Sequence, residues 1–519
     1  MNEIREQLQA KVPEPMVHFG FHMTKGSFTK TAPGLMSGLG KTRGPFWAGL
    51  LLAAALGLAA GCGGGGGGGV DSGADTDADT DADTDADTDA DTDADTDVDA
   101  GADAGASGKT VPCEGAFEYL GAFRLPISSG DLDAGWGMGL AHRYVDGELH
   151  FYSLTIHGNE MYEVAYPGLG ATPGEFPLAE LVRHWGAFTN DSDGEETRIS
   201  GMTEPSWGMP VNGLFWDEES GRLYWSYGYE YNTLFPNDPS LGYSVYDEGL
   251  DRFVGQGVWR FWDSGLDEGR GCKATQGGVT SIPAWFADEY LGGMRLAAGF
   301  GGYFNIVTIG PAHMGPALAA FDADALAATP TLGDIAYREL VGYPFHADAY
   351  DPPLRAERNA DVINEFDEWA PIGEVGYFTW ADQLMQGGVW IDTPTRSGAL
   401  FMPALGQGVV AYVSSSLETD AYSHWWYVYD PADLAAVAQG VVRQDEIQAA
   451  CRWQVQYPSA AFEYDDSGYL PGWRDGPPYQ VVGTTFDAST SILYVDIRAA
   501  WDGASTGEHG GIVYAYHVN

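Results

Sequence analysis

Residues 213–227 read Gly213-Leu214-Phe215-Trp216-Asp217-Glu218-Glu219-Ser220-Gly221-Arg222-Leu223-Tyr224-Trp225-Ser226-Tyr227, and this stretch decides the fold. Two runs of apolar and aromatic residues flank a polar segment that begins with Asp and ends with Gly. Aromatic residues favour strands, whereas Asp and Gly favour tight turns. The stretch therefore predicts a β-hairpin with strands at 213–216 and 222–227 and a turn at 217–221.

The same pattern of strand, Asp-containing turn and second strand occurs five times along the 519 residues of the chain. Self-similarity of this kind indicates a repeat architecture. In the third copy we predict the two strands at 284–286 and 294–298. The Asp residues that open the five turns are Asp146, Asp217, Asp288, Asp392 and Asp487.

Each predicted hairpin is followed by a third segment with the composition of a strand, usually rich in aromatic residues. The first of these is followed by a plausible fourth strand at 181–185. A run with strand character at 338–343 lies between the third and fourth copies. The third strands are predicted at 161–165, 258–262, 317–321, 426–429 and 512–516.

Short strands in a multi-strand unit that recurs along the chain predict an all-β protein with a β-propeller fold. Five blades are predicted, one for each hairpin. The run at 338–343 leaves six or seven blades open, and a pair of β-sandwiches is the alternative fold.

Three segments of the domain resemble the opening blade of a secreted bacterial propeller family without an established activity. A later element of that family is similar to Gly315-Pro316-Ala317-Leu318-Ala319-Ala320-Phe321-Asp322. The resemblance is scattered, implies the propeller fold and implies no reaction. The three segments are Gly121-Ala122-Phe123-Arg124-Leu125-Pro126, Gly139-Leu140-Ala141 and Glu163-Val164-Ala165-Tyr166-Pro167.

Residues 1–61 are interpreted as a leader that ends in an export signal, in which Lys41 and Arg43 precede an apolar run at 46–58. This run is shorter than the roughly 20 residues that span a bilayer. Residues 1–35 precede the signal and are interpreted as a gene-start artefact or a segment without a fold.

The signal ends in Leu58-Ala59-Ala60-Gly61-Cys62, which resembles the lipobox of bacterial lipoproteins and departs from it at Ala59, where Leu is commoner. The resemblance implies cleavage before Cys62 and lipid attachment to that cysteine. Gly rather than Asp after the cysteine implies retention in the outer membrane, with the domain outside the cytoplasm.

Residues 62–108 are predicted to be a disordered tether, made of a glycine run at 63–69 and a repeat of the unit Asp-Ala-Asp-Thr. Repelling carboxylates and the lack of apolar residues leave nothing to offset the entropy of ordering. Weak calcium binding by this ladder of Asp residues is the less favoured reading, because a flexible repeat supplies no defined set of oxygen ligands. The propeller domain is predicted at 109–519.

The chain is strongly acidic, with 25 Lys and Arg residues against 74 Asp and Glu residues and a formal net charge of −49. Such a field repels phosphate, so a nucleic acid is not expected among the partners. The predicted domain contains no GxSxG, P-loop or HExxH motif, which argues against the commonest hydrolase, nucleotide and metalloprotease sites. No cofactor is predicted.

Cysteines are too few for a zinc site of the usual spacing, and no metal is predicted in the domain. With Cys62 assigned to lipid, Cys113, Cys272 and Cys451 remain, which allows one disulfide within the chain. The spacing leaves the pairing open.

The five segments at the starts of the predicted inner strands resemble one another. Each contains Trp or Gln followed by Gly or Val. Glycine allows the strands to crowd the axis, and the preceding side chains would surround the mouth of the central channel. Indole and amide groups suit a neutral polar ligand such as a glycan, although the same ring could simply plug the channel. The predicted ligand-binding residues are Trp136, Trp207, Gln276, Gln386, Gln480 and His142.

The predicted function is that of a membrane-anchored extracytoplasmic binding propeller whose ligand is a neutral glycan or a protein. The alternative is a polysaccharide hydrolase or lyase, with Glu204, Glu374 and Asp382 as carboxylates ahead of inner strands. Acidic residues are so common in this chain that no catalytic pair stands out, so the binding role is favoured.

Overall fold

The computed structural model describes residues 108–126, 139–155, 160–198, 211–228, 239–263, 268–269, 275–301, 317–342, 367–368, 383–384, 387–413, 416–444, 446–472, 479–502 and 509–519. These residues form five antiparallel sheets arranged in a ring, which is a five-bladed β-propeller. We number the blades by the chain order of their inner strands.

The first three blades follow one another along the chain. The first consists of β2 (Leu140–Val145), β3 (Glu148–Leu154), β4 (Met161–Ala165) and β5 (Glu180–Gly186). The second consists of β6 (Val211–Asp217), β7 (Arg222–Tyr227), β8 (Leu241–Asp247), β9 (Arg252–Asp263) and β10 (Glu268–Gly269). The third consists of β11 (Gly278–Ser281), β12 (Leu296–Gly299), β13 (Leu318–Phe321) and β15 (Tyr337–Val341), while β14 (Asp334–Ile335) runs parallel to β9 of the second blade.

The fourth blade is the largest and the fifth closes the ring. The fourth contains β16 (Asp367–Glu368), β17 (Gln383–Leu384), β18 (Gly388–Asp392), β19 (Ser397–Phe401), β20 (Ala404–Val413), β21 (Ser416–Tyr429), β22 (Cys451–Val455) and β23 (Leu470–Pro471). The fifth contains β24 (Val481–Asp487), β25 (Ile492–Asp502), β26 (His509–Val518) and, on its outer edge, β1 (Phe117–Arg124). The first strand of the domain therefore completes the blade formed by the last three.

Helices are short and lie between strands. Within the described ranges, a 3-10 turn spans Glu114–Ala116. The α-helices of the described residues are α1 (Ala284–Tyr290), α2 (Ala323–Ala328) and α3 (Pro431–Ala438). The side chain of Asp430 accepts a hydrogen bond from the Ala432 amide at the start of α3, which satisfies one of the free amides of the first turn.

The core lies between neighbouring blades, where the apolar faces of successive sheets meet. One cluster joins the first and second blades and contains Tyr152, Leu214 and Trp225, while another joins the fourth and fifth and contains Trp426 and Tyr514. Each sheet is covered by a neighbouring blade on both of its faces. Its strands therefore carry apolar residues on both faces.

The five inner strands β2, β6, β11, β18 and β24 each contact the next around the axis. Glycine makes this approach possible: a Cβ at Gly213 would lie 2.9 Å from the Gly278 amide nitrogen, and one at Gly483 would lie 2.7 Å from the Leu140 Cβ. Direct hydrogen bonds also cross between blades, such as that from the Gly139 amide to the Val482 carbonyl at 2.6 Å. The glycines at the strand starts therefore have the structural role that the sequence predicts.

A disulfide joins Cys113 to Cys451 and fixes the segment before β1 to the start of β22 in the fourth blade. The sequence had left this pairing open. Asn519 donates its backbone N–H to the Ala116 carbonyl at 2.9 Å, so both ends of the domain lie together. The predicted lipid site at Cys62 and the predicted tether lie outside the described residues.

Two sequence-based assignments of strands were wrong. Residues 284–286 belong to helix α1, and the inner strand of the third blade is β11, because Pro283 at the helix N-cap follows a short strand that has already ended. Residues 258–262 belong to the fourth strand of the second blade, whose third strand is β8. The run at 338–343 contributes β15, which pairs with β13 in the third blade, and so adds no further blade.

Candidate functional site

We call the end of the ring at which the five inner strands begin the start face, and the opposite end, which carries the Asp146–Gly147 turn and its equivalents, the turn face. Of the predicted ring, the structure describes Gln276 and Gln480, which lie just ahead of β11 and β24 on the start face. Trp136, Trp207 and Gln386 lie outside the described residues.

Gln276 is fully buried between the second and third blades. Its backbone carbonyl accepts a hydrogen bond from the Ser226 hydroxyl at 2.8 Å, and its side-chain oxygen packs against Gly228, where there is no side chain. Within the described part of the chain, neither the nitrogen nor the oxygen of its carboxamide has a hydrogen-bond partner. A buried amide in this state costs free energy unless something else satisfies it.

Asn212 is a second buried carboxamide at the same level of the ring. It lies in the bulge where the register of β6 against β7 shifts, and both of its side-chain polar atoms also lack a partner among the described residues. Because Gly213 contacts Gly278 directly, Asn212 and Gln276 sit at the starts of neighbouring inner strands. Sequence reasoning missed Asn212, although a single amide between Val211 and Gly213 in an otherwise apolar strand was a visible sign.

Gln480 lies between the fourth and fifth blades and is also buried. Its backbone carbonyl accepts a hydrogen bond from the Arg498 amide at 3.1 Å. The neighbouring Tyr479 carbonyl lies 2.7 Å from Nε2 of His424, a fully buried side chain whose Nδ1 has no partner in the described structure. Burial lowers the pKa of His424 to about 4, although the hydrogen bond to Tyr479 acts in the opposite direction. This imidazole is therefore neutral near pH 7.

His142 lies apart from the amides. Its Nδ1 is 2.7 Å from the hydroxyl of Thr485, which is five residues beyond Gln480 along β24, or roughly 16 Å at the rise of an extended strand. Burial lowers the pKa of His142, and the carboxylates of Asp487 and Glu218 partly oppose that shift. The structure thus places His142 towards the turn face and not with Gln276 and Gln480.

The start face of the fourth blade carries an extension that the sequence did not predict. Strand β20 continues past the end of β19 and forms a hairpin with the first half of β21, beyond the level at which β18 begins. Strands β16 and β17, from the segment ahead of β18, pair with β20 and widen this extension. It raises one side of the start face above the ring.

The described residues contain no group of three or more His, Cys, Asp or Glu side chains placed to hold a metal ion. None of their helices is long and apolar enough to cross a membrane. The described residues of the start face include two buried carboxamides that can donate and accept hydrogen bonds, and an uncharged imidazole near Gln480. The chemistry that it suits is recognition of neutral polar groups.

No family model matches the chain, and no curated protein matches it. Solved structures with similar folds include a PQQ-bound aldose sugar dehydrogenase from Streptomyces coelicolor, with 11% identity, a TM-score of 0.31 and coverage of 77% of this chain and 97% of that one. They also include a GH43_1 enzyme from Xanthomonas citri in complex with xylose, with 11% identity, a TM-score of 0.34 and coverage of 75% and 89%. A member of the DUF4221 family from Bacteroides vulgatus has 9% identity, a TM-score of 0.27 and coverage of 78% and 98%. These similarities concern the fold alone.

Proposed function

We propose that this protein is an extracytoplasmic binding propeller, held to the outer membrane through lipid on Cys62, which binds a neutral polar ligand at its start face. A glycan is the ligand class that fits best, because its hydroxyl groups both donate and accept hydrogen bonds. The observation that carries the proposal is the pair of buried, unpartnered carboxamides of Asn212 and Gln276.

Two arguments support this choice of face and ligand. Leaving a buried donor or acceptor unsatisfied costs about 1–3 kcal/mol for each group, so a ligand that pairs with these amides recovers free energy on binding. The formal net charge of −49 disfavours anionic polymers and leaves neutral or cationic ligands.

The point at which the described chain enters the domain also supports ligand binding at the start face. The described chain enters the domain beside Asp392 and Arg396, in the turn that joins β18 to β19. That turn belongs to the turn face, so the described chain enters the domain at the end opposite the start face.

A glycan array with the purified protein tests the binding role. We expect a neutral glycan to bind and Gln276→Met and Asn212→Leu to abolish binding while the variants stay folded, because each replaces an unpartnered amide by an apolar group of similar size. Gln256→Ala is the matched control, since Gln256 is an exposed glutamine on β9. Loss of binding in Gln256→Ala as well would contradict the assignment of the start face.

Analysis of products from any bound glycan separates binding from catalysis. Binding without turnover that also depends on Trp136 and Trp207 supports the proposal. Turnover that survives Trp136→Ala and Trp207→Ala but is lost in Glu204→Gln or Asp382→Asn would establish the hydrolase or lyase alternative. A screen that finds no glycan would leave a protein as the partner.

Labelling of cells with a fatty acid tests the membrane anchor. We expect the protein to carry the label and the variant Cys62→Ser to lose it, because no other cysteine lies at the end of the export signal. A Cys62→Ser protein that is still labelled would rule out this anchor. The matched control is Cys272→Ser, which keeps the signal intact and should be labelled normally.

A further inference from the structure

Asp496 is a buried acid at the interface where the ring closes. It lies on β25 of the fifth blade, paired with Gly483 of β24 and Val513 of β26. Its relative exposure is 0%, and in the described part of the chain neither carboxyl oxygen has a hydrogen-bond partner. A buried carboxyl group is normally paired with a cation or hydrogen-bonded, so this one requires an explanation.

The surroundings of Asp496 are apolar and belong to both the last and the first blade. The side chains that pack between these blades include Leu125, Leu140 and Val513. Gly483 has no side chain and lies against the backbone of Leu140, so Asp496 on the same face of the sheet is directed at the first blade. A Cβ at Gly511 would lie 2.7 Å from Oδ1, which shows how closely the backbone of β26 covers the carboxyl group.

No cation among the described residues compensates this acid. The group that faces it from the first blade is Tyr162, whose own pKa is raised by burial and by Asp496. On β25 the titratable and charged neighbours on either side are Tyr494 and Arg498, and the charge of Arg498 acts on Tyr422 of the fourth blade. Strand β24 presents Gly483 and β26 presents Val513, neither of which titrates.

Removal from water without a compensating charge disfavours the ionised form of a carboxyl group. Desolvation accordingly raises the pKa of Asp496 well above its ordinary value. In the unfolded chain the same group ionises with the usual pKa of about 3.9. Between that pH and the raised pKa of the folded state, folding must therefore keep or restore a proton on Asp496.

We propose that the protonation state of Asp496 controls the packing of the fifth blade against the first. The uncharged acid lets the ring close, and loss of its proton loosens the interface between these two blades. The inference is independent of the ligand proposed for the start face. The domain would close most firmly in acid surroundings and would become less stable as the medium turns alkaline, which matters for a protein exposed outside the cytoplasm.

The test compares chemical unfolding of the wild-type protein and Asp496→Asn between pH 4 and pH 9. Asn has the shape of the protonated acid but cannot ionise, so both proteins should fold at pH 4. We expect the unfolding constant of the wild type, divided by that of the variant, to rise about tenfold for each pH unit above about 4, until Asp496 ionises in the folded state. A ratio that does not change with pH would overturn the proposal.

Two further measurements keep the result specific. Asp487→Asn is the matched control. Burial raises the pKa of Asp487, but hydrogen bonds from Ser489 and Thr490 outweigh that effect and lower it, so this carboxyl group is ionised in both the folded and the unfolded state above about pH 5 and its ratio of unfolding constants should stay constant there. Hydrogen exchange locates the effect: over the same pH range, the protection factor of the Gly139 amide, which donates a hydrogen bond to the Val482 carbonyl between the two blades, should fall in the wild type relative to Asp496→Asn. Equal protection in the two proteins would show that the closure does not respond to this proton.

Discussion

Replacement of Gly213 by Ala tests the packing of inner strands on which the start face depends. A Cβ at this position would lie 2.6 Å from the Ser226 hydroxyl and 2.9 Å from the Gly278 amide nitrogen, and closer still to the Gly278 Cα. Ordinary contacts of a Cβ begin at about 3.4 Å. Two of the three obstacles are backbone atoms of the neighbouring inner strand, so no side-chain rotation relieves the clash.

The magnitude follows from two terms. Insertion of a methyl group into a packed region costs about 1–3 kcal/mol, and the upper end applies here because β6 and β11 must separate. Displacement of the Ser226 hydroxyl also breaks its hydrogen bond to the Gln276 carbonyl, which costs about 1 kcal/mol. We therefore expect Gly213→Ala to lower the free energy of unfolding by about 3–4 kcal/mol.

Denaturant unfolding, with the midpoints compared at an unchanged slope, measures this loss. Gly174→Ala is the matched control, because a Cβ at Gly174 would contact nothing within 4 Å and its backbone conformation is open to other residues. That control should leave stability unchanged or raise it by up to about 1 kcal/mol through the entropy of the unfolded chain. If the two variants unfold at the same midpoint, the inner strands do not approach as described.

Three further predictions concern stability. Reduction of the Cys113–Cys451 disulfide, or Cys113→Ser with Cys451→Ser, should lower the free energy of unfolding by about 3–5 kcal/mol, because the bond closes a loop with a sequence separation of 338. Calorimetry with and without reductant measures this loss, and an unchanged melting temperature would refute the prediction. The wild type should lose about 3 kcal/mol of stability as the pH falls from about 6.5 to about 4, because the folded His424 imidazole resists protonation, and His424→Gln should not show this loss. Acid unfolding followed by fluorescence measures the difference, and equal acid sensitivity in both proteins would contradict the prediction. Asp430→Ala should cost about 1 kcal/mol through loss of the cap of α3, measured by denaturant midpoint, and an unchanged midpoint would show that the cap contributes nothing.

The hairpins could be predicted from the sequence because their information is local. In the turn at 217–221, Asp217 accepts hydrogen bonds from the Glu219 amide and the Ser220 hydroxyl, as Asp in a turn commonly does. The strands on each side are recognisable by their aromatic residues, and the number of blades was predicted correctly. The third predicted hairpin is absent, because Asp288 lies in α1 and not in a turn. The role of glycine at the strand starts was predictable for another reason: glycine lets neighbouring strands approach closely, whichever segment supplies the neighbour.

Other features depend on contacts between distant segments and were not predictable. Residues 284–286 contain Trp and Phe, which favour strands, yet they form α1 because Phe286 packs against Trp390 of the fourth blade. The partners of the β20–β21 extension come from segments far apart in the sequence. Asp496 could not be distinguished from the other acidic residues, because only the tertiary structure removes it from water.

Two buried groups at the interfaces on either side of the fifth blade have titrations that oppose each other. Asp496, on the side of the first blade, makes the domain less stable as the pH rises above about 3.9, because the unfolded carboxyl releases its proton first. His424, on β21 of the fourth blade, makes it less stable as the pH falls below about 6.5, because the unfolded imidazole binds a proton first.

While folded Asp496 keeps its proton, the two slopes between about pH 4 and pH 6.5 have a magnitude of about 1.4 kcal/mol per pH unit and opposite signs, so they cancel. Above about pH 6.5 the contribution of His424 is constant, and that of Asp496 falls only until the folded acid ionises. The two groups together therefore predict a plateau of stability that extends from about pH 4 towards the raised pKa of folded Asp496. Asp496→Asn should convert the plateau into a rise with pH, and His424→Gln should convert it into a fall, so unfolding of the two variants over this interval distinguishes the contribution of each interface.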